Sequence, residues 1–111
     1  MDDVKLAQVI ANTTLGVPGV VGISSGVGYT EATYGPHTAV VGVGIIAESD
    51  QTTVNVHIVA AETPLPRLAE RIRAAVRTAV GTAGVTEPRI ITVFVDDIEM
   101  KGTTSMTREL R

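Results

Sequence analysis

Apolar positions along this chain follow two different periods, a helical one near each end of the first 82 residues and an alternating one elsewhere. Over residues 3–15, Val4, Leu6, Ala7, Ile10, Ala11 and Leu15 cover about half of a helical wheel, with Lys5, Gln8 and Asn12 opposite. Asp2 or Asp3 stands where an N-cap belongs. Gly16, Pro18 and Gly19 then end the pattern, because proline disfavours helical angles at Val17 and glycine turns cheaply. A first helix over 3–15 is predicted.

The run VVGISSGVGY at 20–29 is β-branched and glycine-rich, so it reads as a strand that is thin on one face or bulged at Gly26 and Gly28. TEATYGPH reads as a loop. In 38–48 the positions Val41, Val43, Ile45 and Ala47 share one apolar face, while Gly42 and Gly44 leave the other low enough for something to lie close over it. ESDQ closes a hairpin, and Val54, Val56, Ile58 and Ala60 then alternate with Thr53, Asn55 and His57, giving a strand with one wet side.

A second helix is predicted over 64–82, entered through Pro64 and Pro66 with Thr63 as N-cap and left through Gly81 and Gly84. At 100° per residue, Leu65, Leu68, Ala69, Ile72, Ala75, Val76, Ala79, Val80 and Ala83 fill a continuous arc of about 140°. Pro88 introduces a last strand over 89–100. The fold class that follows is α+β, a small two-layer sandwich of order α-β-β-β-α-β, with both helices on one face of a mixed sheet. A right-handed crossover through the second helix allows its flanking strands to run parallel. Residues 1–100 make one domain, and the aperiodic tail 101–111 is expected to be mobile.

Composition narrows the functional classes. The chain has 111 residues, is 44% apolar and carries a net charge of -3, too mild to argue for a polyanion partner across the whole molecule. With no cysteine, disulfides and thiolate metal sites are excluded. The acidic start MDDVKLAQVIANTT has the wrong order for a signal peptide, and no run approaches the ~20 apolar residues of a membrane span. Charge is instead segregated: after Lys5 no Lys or Arg occurs until Arg67, and Arg67, Arg71, Arg73 and Arg77 then all lie outside the apolar arc of the second helix. Two readings stay open for them, a solvated face that pairs locally with Glu70 and a docking face for an acidic protein surface, another copy of the chain or anionic head groups.

Other motifs are weaker. GVPG at 16–19 is a literal GxxG, the loop by which KH-type domains clamp a nucleic-acid backbone, but no cation flanks it, so a plain turn is favoured over nucleic acid. The glycines of GVVGISSGVG lack the GK[ST] ending of a phosphate loop. His37 and His57 would need distant carboxylates such as Glu31, Asp96 or Asp97 to hold a metal, and spacing gives no support for that. Ser24 or Ser25 would be a nucleophile only if His57 and Asp96 converged. Asp96, Asp97 and Glu99 form an acidic patch opposite in sign to the arginines, which permits head-to-tail contact between copies. No catalytic residue, metal or cofactor is assigned.

Taken together, the helix ending in GVPGVVGIS, the strand TTVNVHIVAAE, the helix PLPRLAERIRAAVRTAV and the strand ITVFVDDIE resemble the alkaline shock protein family, the general-stress and envelope-stress-response proteins of Gram-positive bacteria. The similarity runs from about Val4 to Glu99. It implies a non-enzymatic cytoplasmic scaffold or adaptor at the inner face of the cell envelope, recruited by a membrane-embedded partner and prone to self-association. Neither a small-molecule substrate nor nucleic acid is expected, a KH-like module and a small enzyme using His57 being the alternatives. One departure is the long connection GVGYTEATYGPH, where Tyr29 and Tyr34 are candidates for a contact loop.

Overall fold

The computed structural model describes residues 2–24, 31–48, 51–84 and 90–100. Helix α1 spans Asp3–Leu15 and strands β1 to β5 span Val20–Ile23, Ala32–Gly35, Thr38–Val41, Val43–Glu48 and Gln51–Ala61. Helix α2 (Leu65–Thr82) and strand β6 (Ile90–Glu99) complete the chain. The fold is an α+β sandwich in which α1 and α2 cover one face of a mixed sheet. Expected features at Ser25, Gly26, Gly28, Tyr29 and in 101–111 lie outside the described residues.

Asp2 is the N-cap of α1, its Oδ1 accepting from the Lys5 N–H at 2.8 Å. The inward stripe is Leu6, Ala7, Ile10 and Thr14, so the expected Leu15 is displaced outward and remains 47% exposed. Thr14 tolerates burial because its hydroxyl donates to the Ile10 carbonyl one turn back, at 2.7 Å. Helix α2 buries Leu68, Ile72, Val76 and Val80, a four-residue repeat that keeps one row against the sheet. Its N-cap position is Pro64, with no side-chain capping bond, so Thr63 is not the cap that the sequence suggested.

Strand β5 is the centre of the sheet. Its buried Val54, Val56, Ile58 and Ala60 meet the helices with Val43 of β4 and Ile91 of β6, an aliphatic core in which each full burial contributes roughly 1.5–3 kcal/mol. One edge of β5 is shared by two antiparallel strands, β4 along Gln51–Val56 and β1 along Ile58–Ala60. Strand β6 runs parallel along the other edge, as expected for strands joined through α2.

Two local features depart from the expected order. TEATYGPH does not stay a loop: β2 and β3 pair antiparallel from Ala32↔Val41 to Gly35↔Thr38, forming a separate two-stranded sheet. The expected strand over 38–48 is accordingly broken at Gly42, whose φ of +90° only glycine adopts readily. The hairpin is tied down by Thr33, which is buried and donates its hydroxyl to the Val43 carbonyl at 2.8 Å.

Candidate functional site

Alternation along β5 turns Asn55, His57 and Val59 onto the face away from the helices. On that face lies the main polar constellation of the described residues. The His57 ring stacks on its parallel-strand neighbour Phe94, with centroids 4.5 Å apart and planes 9° from parallel. Its Nε2 lies 2.7 Å from Glu31 Oε1 and its Nδ1 lies 3.1 Å from Asp96 Oδ2. All three side chains are about four-fifths buried, at 16%, 18% and 20% exposure. Asn55 Nδ2 donates to the second Glu31 oxygen at 3.1 Å.

Backbone geometry explains the convergence. Gly42 donates its N–H to the Glu31 carbonyl at 2.7 Å and accepts from the His57 N–H at 2.8 Å, while the His57 carbonyl accepts from the Ser24 N–H at 2.9 Å. His57 thus sits at the seam where β4 ends and β1 begins. Gly44 supplies the room: a Cβ there would run into the Glu31 carboxylate. On the other edge the β5–β6 register shifts between Ile58 and Val59, so that Ile58 pairs with Val95, Val59 pairs with Asp97, and Asp96 is the extra residue of a bulge. Bulges re-aim side chains, and this one turns Asp96 toward His57.

Chemically the cluster is a clip. Neutral imidazole offers one N–H, so only the doubly protonated ring donates to both carboxylates. The acids stand at opposite ends of the ring and do not converge on one point. Among the described residues no group of three or more His, Cys, Asp or Glu is arranged to hold a metal ion. The convergence of His57 with Asp96 that a serine triad would require does occur, but Glu31 takes the ring nitrogen a nucleophile would use. Ser24 meets His57 through the backbone.

The other singled-out residues are dispersed. Arg67 and Arg71 are exposed on α2. Arg73 is half-buried, its Nε donating to the Ile91 carbonyl of β6 at 3.0 Å and its guanidinium pairing with Glu70 at 2.8 Å, while Arg77 on the same side is also half-buried. Asp97 and Glu99 are exposed, in register with Val59 and Ala61, whereas Asp96 belongs to the clip. Tyr34 is 74% exposed on β2 and His37 is exposed at the hairpin turn. Tyr34, Gly35 and Pro36 join Asp2, Asp3 and Val4 around an open depression of about 300 Å³ that His57 does not line. In GVPG, Val17 is buried, Gly19 packs against Leu68, and the Gly19 carbonyl accepts from Ala61 N–H at 2.8 Å, so the loop is knitted into the fold.

Asn55 and Phe94 are members that sequence reasoning did not assign to a site, and Glu31 entered it only as a distant carboxylate whose spacing gave no support. The usable signal was the pair Gly42 and Gly44 inside a strand pattern, which calls for close approach by another segment. What approaches is Glu31.

No protein-family model matches the chain, and no curated protein matches it. Three solved structures of MamM variants are similar in layout, two of them described as its CTD and one of those as a zinc form. They are 18%, 20% and 18% identical, cover 86%, 90% and 94% of this chain and 84%, 90% and 90% of their own, and give TM-scores of 0.45, 0.46 and 0.47. So distant a likeness carries no function across. Among the described residues no helix is long and apolar enough to cross a membrane.

Proposed function

We propose that the chain is a non-catalytic interaction module, a scaffold or adaptor of the alkaline shock type that works through protein contacts at the inner face of the cell envelope. One observation carries the reading. The sheet face away from the helices displays Ile46, Ile90 and Phe94 at 47%, 46% and 41% exposure, aligned by register with Thr53 and His57 of β5. Exposed apolar side chains gathered on one face are characteristic of surfaces that meet another protein. The clip on the same face supports the same reading, since the contacts of Glu31 and Asp96 with the two ring nitrogens of His57 hold the face in shape.

A photo-crosslinking residue placed at Phe94 in the full chain, compared with one at the exposed Gln8 of α1, tests this in cells. Discrete protein adducts are expected from position 94 and not from position 8. Equal labelling from both positions, or none from either, would remove the sheet face as an interaction surface.

A further inference from the structure

Positive charge among the described residues is confined to the helix layer, which also carries the acids Asp3 and Glu70. None of the six strands carries a Lys or Arg among the described residues, where every cation except Lys5 lies on α2. The sheet face away from the helices carries acids without cations of its own. Glu48, paired with Gln51, and Asp97 and Glu99, in register with Val59 and Ala61, share the face of β5 that carries His57. On α2, Arg67 and Arg71 head an exposed ridge that continues through Ala74 and Thr78, small side chains that let another surface approach. Arg73 and Arg77 turn toward the other flank, where Arg73 is committed to Ile91 and Glu70.

We infer that the sheet face away from the helices binds a second copy of this chain, whose Arg67–Arg71 row lies across the exposed Asp97 and Glu99 in a head-to-tail contact. The inference rests on the reading that the chain works through protein contacts, and it names the partner. Spacing supports the match: four residues of helix rise about 6 Å and two residues of strand about 6.6 Å, so two guanidinium groups face two carboxylates in step. Phe94 beside them supplies the apolar centre that a row of exposed ion pairs lacks. The two surfaces lie on opposite sides of the molecule and cannot be joined in one isologous dimer. Repetition therefore gives an open stack in which helix layers and sheet layers alternate.

Sedimentation velocity on the purified full chain provides the test. The wild-type chain is expected to grow past dimer with concentration at low salt and to dissociate at high salt. Two variants separate the faces, Arg67→Gln/Arg71→Gln for the helix and Asp97→Asn/Glu99→Gln for the sheet. Asparagine at 97 keeps the acceptor that bonds the Ile98 N–H at 2.8 Å, and circular dichroism confirms that both variants fold. Each alone is expected to stay monomeric, and an equimolar mixture is expected to stop at one heterodimer. A wild-type chain monomeric at every concentration, assembly indifferent to salt, a single-face variant that assembles like wild type, or a mixture that fails to pair would overturn the inference. If the pure chain stays monomeric while position 94 still yields adducts in cells, the adaptor reading stands and the second copy is wrong.

Discussion

The Glu31 carboxylate lies over the bare backbone of Gly44, in the space that a Cβ at position 44 would occupy. Adding a methyl to an extended glycine ordinarily stabilises by about 0.4–1 kcal/mol, by restricting the unfolded chain. At position 44 the sign should invert. Gly44→Ala pushes Glu31 away from both His57 and Asn55, and a loss of about 1–3 kcal/mol is expected in urea denaturation. Gly22→Ala is the control: a Cβ there meets nothing within 4 Å, so its midpoint should hold or rise.

Gly42→Ala should cost more than Gly44→Ala. The φ of +90° is strained for alanine, and the new Cβ would sit 2.5 Å from the Ser24 carbonyl oxygen. Strain of this kind costs about 1–3 kcal/mol before any lost bond is counted. Because Gly42 bonds both Glu31 and His57, hydrogen exchange should show the amides of Gly42 and His57 losing protection ahead of those at Val54 and Val56.

His57→Ala removes the ring whose two nitrogens face two carboxylates that are largely shielded from water. A loss of about 1–3 kcal/mol is expected. A double-mutant cycle with Glu31→Ala should return a coupling of about 0.5–3 kcal/mol. Additive single effects would mean that the 2.7 Å contact holds nothing together.

Arg73→Ala should destabilise by about 1 kcal/mol, because its Nε satisfies the Ile91 carbonyl of β6. Arg73→Lys should not restore the loss, since an ammonium lacks the planar fork that reaches Ile91 and Glu70 together. Arg71→Ala, at an exposed position, should stay within about 0.5 kcal/mol of wild type. Thermal melts of the three variants check all of this.

Much of the architecture is legible in the sequence. The α1 boundaries, an aspartate cap at Asp2 or Asp3, the buried row of α2 and the alternation of β5 all follow from short-range spacing. The arginines show where such reasoning thins. A wheel places all four outside the apolar arc, yet packing against β6 leaves Arg67 and Arg71 exposed and draws Arg73 in. The β2–β3 hairpin was missed because ATYG and TAVV are four-residue strands, too short for a period to register beside a Gly-Pro turn.

By itself the sequence determined two helices, a central strand and a cluster of arginines on one helix, since helix and strand periods and the spacing of cations are properties of neighbours in the chain. Tertiary structure alone decided that Glu31, His57 and Asp96 meet across separations of 26 and 39 residues. The meeting depends on a glycine with positive φ at 42, a missing side chain at 44 and a one-residue bulge at 96 acting at the same point in space. No local pattern encodes such a coincidence, because each part satisfies a steric condition set by segments far away in the chain.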